Sequence, residues 1–248
     1  MSTESKQEPV IQQLDGDVLV LTLNRPEKRN ALSLELCQAL DSAVREGAGR
    51  ARAIVVTGAG STFCAGADLD GVYGDEFLEA HYGMLAAITS APVPVIAAVN
   101  GPAIGGGTQL AAACDLRVAT VGARFAVPTA RNGLAVDPWT IRRLADLVGG
   151  GHARGILLAA ETVDLPAALA SGLVQREGDL ADAVRLAHDL AALAPLSLAY
   201  AKRVLNSTDL PDDDADLRAD FLACFRSEDA AEADRARAER RTPVFRGR

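Results

Sequence analysis

The order of the elements that this chain predicts constrains its fold more than any other feature. Strands and helices alternate in the first half, and from Trp139 onward most apolar runs have helical spacing. Strands are predicted at 10–24 (a hairpin), 53–57, 93–99, 116–119 and 124–127. Helices are predicted at 34–46, 75–89, 108–114, 180–193, 196–206 and 215–240. This order is typical of an α/β core followed by a helical region.

Length, charge and composition limit the classes of function. The chain has 248 residues, enough for one large domain or one domain with a small appendage, and its net charge of −8 argues against general nucleic-acid binding. No apolar run approaches the ~20 residues of a membrane helix. The polar N-terminus lacks the apolar core of a secretory signal, so we expect a cytoplasmic location. Four scattered cysteines and three histidines form no metal-ligand pattern, so no metal site is expected.

Two glycine-rich segments are similar to nucleotide-binding loops, but each lacks a residue that such a loop needs. The segment 57–63 follows a strand, yet Phe63 stands where a dinucleotide fingerprint has its third glycine. The segment 101–108 has the spacing of a phosphate loop, yet Gly107 stands where that loop has its lysine. We therefore expect neither kind of nucleotide site.

The glycine triplet at 105–107 fits a third chemistry, because it opens a predicted helix. The first N–H groups of a helix have no partner within it, and their partial positive charge suits an oxygen that gains negative charge. A second N–H donor can come from the turn at 64–68, which also follows a strand. Two such donors would form an oxyanion hole. The alternative is that these glycines only allow tight packing of the helix on a strand.

Four blocks of sequence resemble one known family. They are Leu23-Asn24-Arg25-Pro26-Glu27-Lys28-Arg29-Asn30-Ala31-Leu32, Phe63-Cys64-Ala65-Gly66-Ala67-Asp68-Leu69, Asn100-Gly101-Pro102-Ala103-Ile104-Gly105-Gly106-Gly107 and Cys114-Asp115-Leu116-Arg117. Their order and content resemble the crotonase (enoyl-CoA hydratase/isomerase) superfamily. The resemblance implies an α/β, ClpP-like spiral of repeated ββα units over 1–194 and a helical trimerisation region over 195–248. It also implies a coenzyme A thioester as substrate or ligand, with no covalently bound cofactor.

The resemblance also implies roles for individual residues. The backbone N–H groups of Ala67 and Gly106 would hold the thioester oxygen. The coenzyme A moiety would lie beside two segments, the loop with Arg25, Lys28 and Arg29 and the turn with Ala65, Asp68 and Leu69. Arg240, near the C-terminus, would reach the coenzyme A phosphates of a neighbouring subunit, although a solvated helix end explains it equally well.

Two positions depart from the hydratases of this family. Those enzymes use two glutamates to add water to an enoyl thioester, and the matching residues here are Gln109 and Thr129. Neither side chain can take or give a proton near neutral pH. Because each acid or base role is worth ~10²–10⁴-fold in rate, we expect little hydratase activity.

Asp137 is the carboxylate that matches a functional acid in the dienoyl-CoA isomerases of the family. It is therefore a candidate acid/base. The alternative is an N-cap for a helix that begins at Pro138, because aspartate favours the cap and proline the first turn. Trp139, the single tryptophan, either lines the acyl pocket or fills the core.

Three further features are weighed on the residues alone. Cys64 and Cys114 have no histidine near them in sequence, so we interpret them as buried fillers. His81 lies on a predicted helix near the pocket, where it is a surface or core residue in the simpler interpretation. An apolar stripe in the last helical segment predicts self-association, as a homotrimer or hexamer; its residues are Leu217, Phe221, Leu222 and Phe225.

The whole pattern is similar to a mycobacterial subset of the family that lacks both glutamates. The resemblance implies binding of fatty acyl-CoA for lipid synthesis, with enzymes of that process as partners. Our first hypothesis is therefore an acyl-CoA-binding protein with little hydratase activity. The second is an enoyl-CoA isomerase or weak hydratase that uses Asp137, and the third is an interaction subunit that binds no ligand.

Overall fold

Two sheets organise the structure, a computed structural model that describes residues 8–68, 74–207 and 214–248. The strands are β1 (Val10–Asp15), β2 (Val18–Leu23), β3 (Ala53–Gly58), β4 (Val95–Val99), β5 (Pro102–Ile104), β6 (Leu116–Ala119), β7 (Arg124–Ala126), β8 (Val163–Asp164) and β9 (Arg176–Glu177). The larger sheet has the order β1-β2-β3-β4-β6-β9, and the smaller one the order β5-β7-β8. All pairs in the larger sheet are parallel except β1–β2.

The predicted hairpin at the start of the chain is confirmed. Strands β1 and β2 pair from Val10 with Leu23 to Asp15 with Val18. The turn between them contains Gly16, whose φ of 57° lies in the left-handed region that glycine adopts without strain.

Helices cover both faces of the larger sheet. The helices of the described residues are α1 (Leu34–Ala48), α2 (Asp75–Ser90), α3 (Gly106–Ala113), α4 (Pro138–Leu158), α5 (Leu165–Ala170), α6 (Leu180–Ala191), α7 (Pro195–Asn206), α8 (Ala215–Arg226) and α9 (Glu228–Glu239). Alternate residues of β2 belong to different cores: Leu19 and Leu21 pack in the main core with α1, and Val18 and Val20 in a smaller core with α6. Because both faces of the sheet are buried, its strands consist of continuous runs of apolar residues.

One predicted element is wrong. The helix expected over 215–240 is two helices, α8 and α9, separated at Ser227. This residue has extended backbone angles (φ −73°, ψ 156°), and its hydroxyl accepts a hydrogen bond from the N–H of Ala230. Serine favours such a cap over a helix interior, so it ends one helix and begins the next. The short elements β5, β8, β9 and α5 were not predicted.

Side chains of the core hold the helical region in place. Lys202 on α7 is buried, lies 2.7 Å from a carboxylate oxygen of Asp115, and donates to the carbonyl of Val93 at 2.9 Å. Arg52 donates to the carbonyl of Phe245, near the C-terminus, at 2.7 Å. These contacts join the two regions that we divided at 194/195. Within the described residues, no helix is both long and apolar enough to cross a membrane.

Candidate active site

A cleft of about 420 Å³ opens between α2, the turn at 65–67, the N-terminus of α3 and the segment 128–136. One wall is backbone, from Ala67 and Gly106. A second wall is polar, with the side chains of His81, Tyr82, Gln109 and Thr129. The remainder is mostly apolar and includes Phe77, Leu78, Ile104, Leu134 and Val136. The structure thus brings five of the predicted site residues into one cleft: Ala65, Ala67, Gly106, Gln109 and Thr129.

The three glycines at the start of α3 have three different reasons to be glycine. Gly105 has φ 52° and ψ −115°, which L side chains rarely adopt. A Cβ on Gly107 would lie 2.2 Å from the carbonyl oxygen of Cys64, so this position requires close packing. A Cβ on Gly106 would enter the space between Leu32, His81 and Ala67, at 2.9 Å from Cδ1 of Leu32. The packing interpretation therefore holds for Gly107, and at Gly106 a side chain would press on Leu32 and lie beside His81 and the N–H of Ala67.

The turn that contains Ala67 directs its N–H away from the neighbouring segment. Leu32 pairs with this turn by donating to the carbonyl of Gly66 at 2.7 Å and accepting from the N–H of Asp68 at 2.8 Å. The N–H between them, that of Ala67, faces the other side, where a Cβ on Gly106 would lie 3.7 Å from it. The N–H groups of Ala67 and Gly106 donate to no other backbone group in the part of the chain that the structure describes. They form a pair of adjacent donors.

A closed network of hydrogen bonds fixes the Gln109 amide. Its Nε2 donates to Oγ1 of Thr140 at 2.7 Å and to Oδ2 of Asp137 at 3.3 Å. The Thr140 hydroxyl donates to the same Asp137 oxygen at 2.5 Å. The Oε1 of Gln109 lies 3.2 Å from Nε2 of His81. Gln109 is buried, so both ends of its amide are occupied where a family hydratase has a glutamate.

Asp137 lies behind Gln109 and not on the cleft surface. Its carboxylate accepts from the N–H of Thr140 at 3.1 Å, which caps α4, and Pro138 follows as the first helical residue. The N-cap interpretation of Asp137 is therefore confirmed. A role as acid/base stays a prediction, and any such role has to act through Gln109.

His81 is the residue whose importance the sequence did not reveal. It is 4% exposed and lies against Phe77, with ring centroids 5.8 Å apart, and against Tyr82, at 5.1 Å. Burial lowers the pKa of His81, which the hydrogen bond to Gln109 and the charge of Asp137 partly oppose. Its position on the α2 face with Phe77 and Met84, at i−4 and i+3, was the signal that the side chain is buried.

Tyr82 completes the polar wall as a neutral group. Burial, and then the negative charge of Asp137, raise the pKa of its phenol. Because the phenol of tyrosine is protonated at neutral pH even without such a shift, Tyr82 presents a hydrogen-bond donor to the cleft.

The predicted coenzyme A loop is tied to the turn of the cleft. The guanidinium of Arg25 donates to the carbonyl of Ala31 at 2.6 Å and to Oδ2 of Asp68 at 3.0 Å. The N–H of Ala65 donates to the carbonyl of Arg29 at 3.0 Å. Lys28 and Arg29 are exposed. Leu69 lies outside the described residues.

Two further predicted residues, Trp139 and Arg240, do not line the cleft, and Cys64 and Cys114 are buried. Trp139 packs against the main core and is not among the residues that line the cleft. Arg240 is exposed at the C-cap of α9, with φ 55°. Burial raises the pKa of the thiols of Cys64 and Cys114 to about 12, as expected for fillers. Among the described residues, no cluster of three or more His, Cys, Asp or Glu side chains suits a metal ion.

Comparison with known proteins identifies the family of the chain. The family model described as enoyl-CoA hydratase/isomerase matches residues 13–248. A protein of Mycobacterium bovis named "Probable enoyl-CoA hydratase echA6" is 47% identical over 93% of this chain and 96% of its own length. A short-chain-enoyl-CoA hydratase of Clostridium acetobutylicum is 32% identical over 94% of this chain and 95% of its own.

Solved structures show the same architecture. The crystal structure of an enoyl-CoA hydratase from Polaromonas has a TM-score of 0.87 at 31% identity, and covers 96% of this chain and 99% of that one. The structure of an enoyl-CoA hydratase from Mycobacterium tuberculosis has a TM-score of 0.85 at 29% identity, and covers 98% and 100%. The chain belongs to the enoyl-CoA hydratase/isomerase family and has the crotonase fold, as its motifs predicted.

Proposed function

We propose that this protein binds fatty acyl-CoA thioesters with the carbonyl oxygen between the N–H groups of Ala67 and Gly106. The observation that carries this proposal is that both residues line one cleft, with the nitrogen of Ala67 3.7 Å from a Cβ on Gly106, and that neither N–H donates to another backbone group of the described residues. A buried helix N-terminus needs an acceptor for its N–H groups, and a thioester oxygen supplies one. Family membership supports a ligand of this class.

The two ends of the ligand have different surroundings. The apolar side of the cleft, with Phe77, Leu134 and Val136, receives the acyl chain. The exposed Lys28 and Arg29 lie on the loop that hydrogen-bonds to the turn at 65–68, where cations attract the phosphates of coenzyme A. The guanidinium of Arg25 holds the loop to Asp68, and we assign it a positioning role.

Hydration is disfavoured by the polar wall. Adding water requires a base for the water and an acid for the α-carbon. Gln109 donates both amide hydrogens to Asp137 and Thr140, and Thr129 carries a hydroxyl that does not titrate near neutral pH. The protein therefore serves as an acyl-CoA carrier in fatty-acid and lipid metabolism.

The decisive experiment measures acyl-CoA binding by Gly106→Ala. A methyl group there would lie 3.7 Å from the nitrogen of Ala67 and 3.4 Å from the ring of His81, where we place the thioester. We therefore expect the Kd of butyryl-CoA to rise by at least about 100-fold, or about 2.7 kcal/mol. Gly151→Ala is the matched control, since a Cβ at Gly151 would meet no atom within 4 Å. Isothermal titration gives the Kd, and thermal unfolding shows that each variant is folded. Equal affinity of Gly106→Ala and the wild type would contradict the assignment.

A second candidate, enoyl-CoA isomerase activity, is favoured by one observation. The carboxylate of Asp137 connects through Gln109 to His81, so a proton acceptor of the cleft is linked to a negative charge. An isomerase moves one proton between carbons and needs no activated water. This candidate predicts isomerisation of a 3-enoyl-CoA that decreases in Asp137→Asn.

Self-association as a trimer or hexamer belongs to the same proposal. Of the predicted stripe, Leu217 is buried and Leu222 half-buried, whereas Phe221 is 43% and Phe225 69% exposed. The rings of Phe221 and Phe225 lie 4.9 Å apart, and Tyr200 lies 5.8 Å from Phe221. Such an aromatic patch suits an interface between subunits. Sedimentation should show trimers or hexamers for the wild type and smaller species for Phe225→Asp.

A further inference from the structure

The two ring nitrogens of His81 have different surroundings. Nε2 lies 3.2 Å from Oε1 of Gln109. Nδ1 is buried and has no hydrogen-bond partner among the described residues. A buried polar atom without a partner is costly, and it commonly marks a place where a ligand or a reaction uses it. His81 lines the cleft, so the unpartnered atom belongs to a residue of the site.

The network around Gln109 determines which nitrogen carries the proton. The amide nitrogen of Gln109 faces two acceptors, Asp137 and Thr140, so its oxygen is the atom that faces His81. An amide oxygen only accepts, so Nε2 of His81 is the donor. In the neutral ring the other nitrogen, Nδ1, then has a free lone pair. Burial keeps His81 in this neutral form, which is the form that accepts a proton.

The imidazole also lies beside the thioester position. Its Cε1, the ring carbon between the two nitrogens, is 3.4 Å from the point where a Cβ on Gly106 would stand. Among the described residues that line the cleft, only His81 and Tyr82 have titratable side chains, and the phenol of Tyr82 is protonated at neutral pH. His81 is therefore the one cleft-lining base available near neutral pH among these residues.

We propose that Nδ1 of His81 is the base that removes a proton from the α-carbon of a bound acyl thioester. This inference rests on the proposed function and adds a catalytic residue to it. The α-C–H bond breaks and a bond from Nδ1 to hydrogen forms. The C–H electron pair becomes a carbon–carbon π bond, and the carbonyl π pair moves to the oxygen between the N–H groups of Ala67 and Gly106. The reverse step returns a proton from the imidazolium to carbon, with no net oxidation or reduction.

Gln109 and Asp137 act in this step as positioning residues. When Nδ1 takes a proton, the ring becomes positive and its Nε2–H bond to Gln109 strengthens. Gln109 in turn donates to the carboxylate of Asp137, so the negative charge lies one amide away from the imidazolium. Such a relay stabilises the charged ring without a carboxylate on the cleft surface.

The test measures hydrogen exchange at the α-carbon of butyryl-CoA in D₂O by mass spectrometry, with binding measured separately. We expect the wild type to incorporate deuterium well above the enzyme-free rate. His81→Gln, whose amide can still donate to Gln109, should lose at least about 100-fold in exchange and change the Kd by less than about 3-fold. His188→Gln is the matched control, because His188 is exposed and pairs with Asp15 outside the cleft.

Each outcome decides the proposal. Binding by the wild type without exchange would show that a bound thioester does not reach Nδ1, and would overturn this inference while leaving the proposed function intact. Exchange by His81→Gln at the wild-type rate would also overturn it. If the wild type does not bind butyryl-CoA, both this inference and the proposed function are wrong. If His81→Gln does not fold, ¹⁵N NMR of the wild-type histidines serves instead: protonated Nε2 with bare Nδ1 supports the inference, and the opposite tautomer contradicts it.

Discussion

The two walls of the cleft differ in what they are made of. The wall of Ala67 and Gly106 offers backbone N–H groups that are positioned by the turn at 65–67 and the start of α3. The second wall offers side chains, among them Gln109 and Thr129, which match the glutamates expected of family hydratases. Substitution can replace a side chain in one step, but it removes a backbone donor only by disturbing the local fold. A family member can therefore lose its acid/base groups and keep the means to bind the thioester.

The largest expected effect concerns the side-chain wall. Crotonyl-CoA hydration by the wild type should have a kcat/KM at least about 10⁴-fold below that of a family member with both glutamates, since two acid/base groups are missing. Loss of the enoyl absorbance measures this rate. A rate within tenfold of such an enzyme (about 1.4 kcal/mol) would show that the polar wall still activates water. The claim that this wall has lost its acid/base function would then be wrong.

The next effect concerns the backbone wall. Gly107→Ala should destabilise the protein by about 3 kcal/mol, because its Cβ would lie 2.2 Å from the carbonyl oxygen of Cys64 and the backbone must shift. The free energy of unfolding in urea measures this change. Gly83→Ala in α2 is the contrasting control, since its Cβ would meet no atom within 4 Å and alanine is the better helix former. Equal stability of Gly107→Ala and the wild type would show that the backbone at residue 107 can shift away from Cys64 without a cost in stability.

The backbone wall was the part that the sequence predicted well. Glycines and turns carry local backbone information, so a helix that opens at the glycine triplet 105–107 and a turn at 64–68 follow from short segments of sequence. The replacement of glutamate at Gln109 and Thr129 was likewise visible as residue identity. These features depend on neighbours in sequence, which one chain displays directly.

The side-chain wall was predicted less well, because its contacts join distant segments. His81 and Gln109 are 28 residues apart, and Gln109 and Thr140 are 31 apart. The rotation of α2 about its axis decides whether His81 faces the cleft, and packing against α1 and α3 sets that rotation. Asp137 was weighed equally as acid and as cap, and only the position of Gln109 places its carboxylate behind the cleft surface. The ion pair between Arg25 and Asp68 likewise joins residues that are 43 apart in sequence.

The smallest expected effect is a pH dependence of stability that originates in the side-chain wall. The pKa of His81 is lowered from 6.5 in the folded chain, chiefly by burial, so below that pH the unfolded chain binds a proton that the folded chain resists. The neutral ring therefore contributes stability above pH 6.5, and this contribution is lost as the pH falls through 6.5 towards the lowered folded-state pKa.

Urea unfolding of the wild type and His81→Gln at several pH values measures this loss of stability. Their difference in unfolding free energy should favour the wild type more at neutral pH than in acid, with a slope of at most about 1.4 kcal/mol per pH unit for one proton. Shared carboxylates cancel in this difference. A difference that is constant across the acid range would show that His81 is as easily protonated in the folded chain as in water, and that the polar wall is not shielded from solvent.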